Sequence, residues 1–356
     1  MKEAILYHRL DSNQVICDLC VHRCRIRPGR RGVCGVRVNK GGTLYTLVYD
    51  RVAALEVDPV EKKPFFHFQP GSLALSIAAV GCNMRCLYCQ NHHLSQLPKG
   101  QGGKIIGDTI TLEDIVKAAQ IYRCRSIAYT YTEPTIFFEL AYDTACLAKA
   151  QGLKNLFVTN GYMTQEALEM IRPYLDGASV DLKGFNDKHY RRVCGARLQP
   201  VLDNIRLMHE MGVWVEVTTL IVPGLNDSVE ELHAIAEALA SISYSIPWHV
   251  SGFFPAYKMS DRPPTPVETI QRAYTIGRNA GLHYVYCGNI PGDICTGTYC
   301  SRCRTKLIQR CGFTVVTNRI VSEKCPNCGT LVDGIEMSNH VTLRQTVSRI
   351  VRRSID

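Results

Sequence analysis

The chain has 356 residues, 46% hydrophobic and 21% charged, a composition that excludes disorder and supplies a large core without disulfide staples. Its 41 basic and 32 acidic residues leave a charge of +9, moderate for this length and compatible with an anionic partner without requiring one. With no run of eighteen apolar residues and no secretory signal in MKEAILYHRLDSNQ, no membrane association is expected and a cytoplasmic, reducing setting is, where thiols stay free or bind metal.

Seventeen cysteines in such a setting read as metal or redox ligands wherever they cluster. Residues 1–70 form a Cys-rich N-terminal module with a strand over Thr43 to Val48, closed by the turn-rich Pro64 to Gly71. Cys17, Cys20, Cys24 and Cys34 follow C-x2-C-x3-C-x9-C, four soft ligands that suffice for a tetrahedral zinc or an iron–sulfur cube. Structural zinc is the expectation there, with an auxiliary cluster or no metal as alternatives. His22, inside the loop, is expected to face solvent rather than to ligate.

From residue 71 to 286 short apolar runs alternate with amphipathic stretches. The runs lie at 73–80, 126–131, 155–159, 177–182, 213–222 and 247–254. Ser228 with Glu231, and Thr265 with Pro266 and Glu268, read as capping boxes that open helices. Near-continuous apolar strands separated by helices imply a parallel sheet with helices on its outer face. Six such units in about 210 residues fall short of a complete eight-unit barrel. The predicted fold is therefore α/β, a partial (β/α)6 TIM-type barrel with small Cys-rich modules at both ends, its ligands gathered where the strands finish.

Cys82, Cys86 and Cys89 follow the first of these strands as C-x3-C-x2-C. Three thiolates are one short of closing a cube or a zinc tetrahedron, which leaves an open coordination position. A redox-active iron there could bind a small chelator and give it an electron, whereas zinc would offer Lewis-acid chemistry alone. The loop, with aromatic Tyr88 before its last cysteine, resembles the radical S-adenosylmethionine (radical SAM) superfamily. The resemblance implies a [4Fe–4S] cluster on Cys82, Cys86 and Cys89 whose fourth iron is chelated by SAM. Reductive cleavage of SAM then gives a 5′-deoxyadenosyl radical that abstracts hydrogen.

Further segments resemble the pyruvate formate-lyase activating enzyme branch: Tyr131-Thr132-Glu133-Pro134, Asn160-Gly161, Asp181-Leu182-Lys183 and Val222-Pro223-Gly224. The resemblance assigns the SAM ammonium to Glu133 and places Tyr88, Thr132, Asn160, Asp181, Lys183 and Tyr257 around the cofactor. It assigns no catalytic residue beyond cluster and SAM. Tyr131 and Thr132 replace two glycines of the branch, Val158 replaces an acidic residue and Tyr257 a histidine. These departures weigh on the branch's cation site and on its glycyl-radical substrate.

A narrower resemblance spans nearly the whole chain. The N-terminal cysteines with Gly32-Val33-Cys34-Gly35-Val36-Arg37, the segment Asp58-Pro59-Val60-Glu61-Lys62-Lys63-Pro64, the central loop, Phe254-Pro255-Ala256-Tyr257-Lys258-Met259 and a C-terminal cysteine pair together resemble the AmmeMemoRadiSam-system radical SAM enzyme. That resemblance implies Memo-like and AMMECR-like partners, and radical SAM chemistry implies an electron donor such as flavodoxin or ferredoxin.

In residues 287–340, Cys300-x2-Cys303 and Cys325-x2-Cys328 are two knuckles expected to form a zinc-ribbon-like module. Residues 341–356 read as a basic amphipathic tail packed on its own domain. The scattered Cys124, Cys146, Cys194, Cys287, Cys295 and Cys311 are expected to be small core residues or bystanders. The function expected is an oxidoreductase-type radical SAM enzyme acting on a small molecule or a partner-held substrate. A glycyl-radical enzyme activating enzyme is the first alternative. A zinc-containing RNA-binding or RNA-modifying protein, suggested by the arginines and the ribbon, is the second, with nucleic acid disfavoured.

Overall fold

The computed structural model describes residues 1–100, 102–292 and 295–338. The predicted tail at 341–356 lies outside them. Apolar and β-branched runs with both faces covered form one eight-stranded sheet: Ala54–Pro59 (β1), Leu73–Ala78 (β2), Ser126–Tyr129 (β3), Lys154–Thr159 (β4), Gly177–Asp181 (β5), Trp214–Ile221 (β6), Trp248–Gly252 (β7) and Val285–Gly288 (β8). Each strand lies beside its predecessor in sequence, with β1 and β8 at the two edges. The steps from β2 to β8 are parallel, while β1 runs antiparallel to β2 from Ala54 opposite Ala78 to Pro59 opposite Leu73.

The sheet thus carries the six parallel strands expected and a seventh, β8. At four residues, Val-Tyr-Cys-Gly is too short to announce a strand, and it forms because Trp248 to Ser251 offer it a parallel template. β1, from within the first 70 residues, caps the other edge, where unpaired backbone groups would invite foreign strands.

The longer helices are Leu112–Ile121 (α1), Phe138–Ala150 (α2), Gln165–Ile171 (α3), Gln199–Glu210 (α4), Val229–Ile242 (α5) and Val267–Asn279 (α6). No helix of the described residues is long and apolar enough to cross a membrane. Ser228 caps α5 as its sequence predicts, accepting from Glu231 N at 3.2 Å. Glu231, however, turns its carboxylate to Phe185 N at 2.7 Å instead of closing a box. Thr265 is no cap at all. Its hydroxyl is engaged between Ile221 O (2.5 Å) and Phe253 N (2.8 Å), tying the ends of β6 and β7, and Pro266 takes the N-cap position.

Helix α6 packs on β7 and β8 through Gly277, where a Cβ would lie 2.8 Å from the Trp248 ring and 2.9 Å from Val285. Gly277→Ala should therefore cost about 1–3 kcal/mol by overpacking, read as a lower denaturant midpoint with an unchanged m-value.

The N-terminal module shares the barrel's core: Val15, Cys17, Ile26, Val36 and Leu44 belong to the same buried cluster as Ile77, Tyr129 and Phe157. An ion pair inside that core joins Arg37 to Glu139 of α2 at 2.6 Å, both side chains at most 2% exposed. The C-terminal segment has its own small core of Leu307, Ile308, Ile320, Val332 and Met337 around Cys300 and Cys325.

That segment docks where the strands begin. Phe68 bridges to Ile335, Arg310 lies 4.2 Å over the Phe66 ring, and His67 bonds to Asp333 O and Tyr286 Oη at 2.6 Å each. Glu216 completes this floor by accepting from Phe66 N, His67 N and Trp214 Nε1 and pairing with His249.

Burial pushes His67 down to about 4. An unfolded chain takes up the proton near 6.5 that the folded protein refuses until about 4, so stability should fall as pH drops through that window. The loss is roughly 3 kcal/mol and levels off below it. Denaturant midpoints across pH 7 to 4, with His67→Gln lacking this component of the slope, check the expectation.

Candidate active site

The strand ends opposite that floor gather the chemistry. Gly81 leaves β2 with φ 108°, and a Cβ there would meet Val36 Cγ1 at 2.8 Å and Cys34 O at 3.1 Å. Glycine is needed because the N-terminal module presses on the loop at this point. Cys82, Cys86 and Cys89 follow on a loop held from both sides. Arg85 N and Leu87 N donate to Cys194 O and Val193 O, and Leu87 O accepts from Lys258 N at 3.0 Å. All three thiols are pushed up in pKa, Cys82 and Cys89 chiefly by burial and Cys86 first by a hydrogen bond with Cys194 and then by burial. Thiols in such a site are stabilised as thiolates by a bound cation.

Glu133 follows β3 and is 1% exposed. Its Oε1 accepts from Thr135 N (3.1 Å), Thr135 Oγ1 (2.6 Å) and Thr159 Oγ1 (2.8 Å), and its Oε2 accepts from Asn160 N (2.8 Å). All four donors are neutral. Burial raises the carboxyl pKa. Its charge is felt at Cys82, so a cation bound here would sit beside the cysteine loop.

Asn160 joins the two. Its Nδ2 donates to Asn83 Oδ1 at 2.8 Å and approaches Cys82 Sγ at 3.7 Å. Thr132 donates to Ala79 O at 2.7 Å, fixing the β3 turn to the end of β2. Asp181 pairs with Lys183 at 2.9 Å, and Tyr190 Oη accepts from Lys183 N. The Lys183 ammonium is favoured against burial by Asp181 and the thiols of Cys86 and Cys194. Tyr257, in left-handed backbone at φ 52°, stacks on His92 at 4.7 Å above the same loop. Tyr88 is buried, with its hydroxyl 3.7 Å from Cys194 Sγ.

Three features here carry no signal in the sequence read alone. Cys194 is buried in the core as expected, and it does more than fill space: a π-helical turn, Tyr190–Cys194, brings its thiol to Cys86. His22 is half-buried rather than turned fully to solvent. Its Nε2 lies 2.9 Å from Asn83 O and its ring packs edge-on against Tyr162, fastening the N-terminal cysteine loop to the central one. Tyr131 adopts left-handed backbone, φ 60°, and its hydroxyl donates to Asp58 at 2.5 Å under a Lys63 ammonium 4.0 Å from the ring. Asp58 also accepts from Ser76, Lys62 and Lys63, so the charged segment 58–64 braces the turn that aims Glu133.

The flanking cysteines differ in spacing. Cys300, Cys303, Cys325 and Cys328 have all four sulfurs within 4.8 Å of one another, with two pairs at 3.6 Å, and among the described residues no other three His, Cys, Asp or Glu ligand atoms meet that limit. Hydrogen bonding from Thr305 pulls Cys303 down to about 5. Cys17, Cys20, Cys24 and Cys34 instead line a pocket with Arg37, Thr135 and Ile136.

The central residues fit an iron–sulfur cluster with a cationic amino-acid cofactor. The donor set is three soft sulfurs, a buried carboxylate held by neutral donors stands beside it, and two buried polar atoms, Asn83 Nδ2 and Thr218 Oγ1, have no protein partner. Thr218 is the register partner of Asp181.

Comparison with known proteins agrees. The Radical SAM superfamily model matches residues 76–239, an interval from β2 through most of α5 that holds the loop, Glu133, Asp181 and Lys183. The uncharacterized protein MJ0808 of Methanocaldococcus jannaschii is 42% identical over 94% of this chain and 99% of its own length. The pyruvate formate-lyase 1-activating enzyme of Escherichia coli K12 is 24% identical over 54% of this chain and 83% of its own. A crystallised domain of a pyruvate-formate lyase-activating enzyme from Bacteroides vulgatus is 20% identical, covering 46% of this chain and 99% of that one with a TM-score of 0.41. A strand-end loop of three cysteines, a buried glutamate facing it and a family match over both leave one conclusion: this chain is an enzyme of the radical SAM superfamily.

Proposed function

We propose that Cys82, Cys86 and Cys89 hold a [4Fe–4S] cluster, that Glu133, Asn160, Asp181 and Lys183 hold SAM against it, and that the enzyme takes a hydrogen atom from a small molecule or a partner-held substrate. When bound, cluster and cofactor supply one-electron cleavage of SAM to a 5′-deoxyadenosyl radical. Glu133 accepts the cofactor's ammonium. Lys183, its charge sustained by Asp181, is placed to receive the carboxylate. Tyr88, Thr132 and Tyr257 shape the loops around it.

The observation that carries this reading is Glu133, a buried carboxylate satisfied by neutral donors and electrostatically coupled to Cys82. A flavodoxin- or ferredoxin-type donor supplies the electron, and the full-length resemblance supports Memo-like and AMMECR-like partners. The spacing of the ribbon sulfurs suits one zinc ion, whose ligands at about 2.3 Å stand about 3.8 Å apart.

Oxygen-free reconstitution should give a visible band that dithionite bleaches, and SAM should then be converted to 5′-deoxyadenosine. A fully loaded central cluster that leaves SAM intact would end the proposal. The second reading, a glycyl-radical enzyme activating enzyme, is favoured by the likeness to pyruvate formate-lyase activating enzymes. It predicts an oxygen-sensitive glycyl EPR signal in a protein encoded nearby.

A further inference from the structure

Arg37 is 1% exposed and lines the pocket formed by the N-terminal cysteines. Its Nη2 is spent on Glu139, at 2.7 and 2.6 Å. Nε and Nη1 remain buried without a partner. Two orphaned donors on a buried cation, beside four thiols, mark a place for an anionic group with acceptor atoms.

The pocket is small and is walled by Cys17, Cys20, Cys24 and Cys34. Zinc would draw four thiolates to about 3.8 Å from one another. The ribbon sulfurs meet that spacing and these do not, since no three of them lie within 4.8 Å of one another. The central three likewise form no group within that limit. A four-iron cube holds its thiolates roughly 6 Å apart and carries sulfides that accept hydrogen bonds.

We infer that Cys17, Cys20, Cys24 and Cys34 bind a second [4Fe–4S] cluster, closed by four thiolates and hydrogen-bonded by Arg37. The site abuts the central loop at three places. Cys34 O lies 3.1 Å from where a Gly81 Cβ would stand, His22 reaches Asn83 O at 2.9 Å, and Thr135 and Ile136 of the pocket follow the Glu133-Pro134 turn. With no vacant iron, such a cluster is a one-electron carrier rather than a substrate site.

Metal and sulfide counts on the full chain reconstituted without oxygen test this. The expected result is about eight irons and one zinc per chain, with Cys82→Ala/Cys86→Ala/Cys89→Ala keeping about four irons and a reduced-state EPR signal that SAM leaves unchanged. Cys17→Ser/Cys20→Ser/Cys24→Ser/Cys34→Ser should lose that signal; if this variant does not fold, the wild-type and triple-variant counts still decide. Two zinc ions in the wild type, or a triple variant devoid of iron, overturns the inference. Failure of the central-cluster reading looks different: wild type and triple variant would then both hold about four irons.

Discussion

Glu133→Gln is expected to weaken SAM binding about 10- to 100-fold, the loss of one charge-assisted hydrogen bond to a cation, while the iron content of the protein stays unchanged. The amide keeps the size of the carboxylate and loses its charge. Three donors converge on one oxygen and Asn160 N on the other, so an amide NH2 facing Asn160 N sets donor against donor. Glu133→Ala removes all four acceptor bonds and should also unfold at lower denaturant by about 3 kcal/mol. The pH dependence has a definite sign. Because burial raises the Glu133 pKa, acidification neutralises the carboxylate early, and SAM affinity should fall as pH falls in the wild type but not in Glu133→Gln. Calorimetric titration of SAM into cluster-loaded protein at several pH values measures both effects, and equal affinities for wild type and variant would remove Glu133 from the cofactor site.

The second large effect is on stability. Arg37→Met should cost about 3–5 kcal/mol, because it leaves Glu139 charged and buried with Ile5 N as its remaining donor. Glu139→Gln should cost a similar amount by stranding the guanidinium. The double change Arg37→Met/Glu139→Leu should recover much of either loss, since the interior then holds no lone charge. Chemical denaturation of the four proteins, loaded to the same metal content, gives the cycle. A loss under 1 kcal/mol in both single variants would show that water reaches the pair.

Sequence made the reactive half of the barrel readable. The three cysteines, Glu133 and Asn160 follow apolar runs closely and the Asp181–Lys183 pair straddles the end of one, and a parallel sheet brings the ends of such runs together whatever the loops do. It concealed what depends on contacts between distant segments. β8 is a strand because β7 templates it. Thr265 has the spacing of a cap but spends its hydroxyl on two strand ends. Tyr131 reads as a departure from glycine, and only the fold shows Asp58 and Lys63 holding it in left-handed backbone. Cys194 and His22 have no local pattern at all. Both act across the chain, on Cys86 and Asn83, and periodicity reports nothing about such pairs.

The C-terminal cysteine segment grips the sheet where its strands start, its Asp333 and Arg310 meeting His67 and Phe66, while the central cysteine loop emerges where they finish. The C-terminal segment and the central cysteine loop are thus separated by the full length of the strands. Remodelling the C-terminal segment should therefore leave the cysteine loop and Glu133 at the far rim as they are.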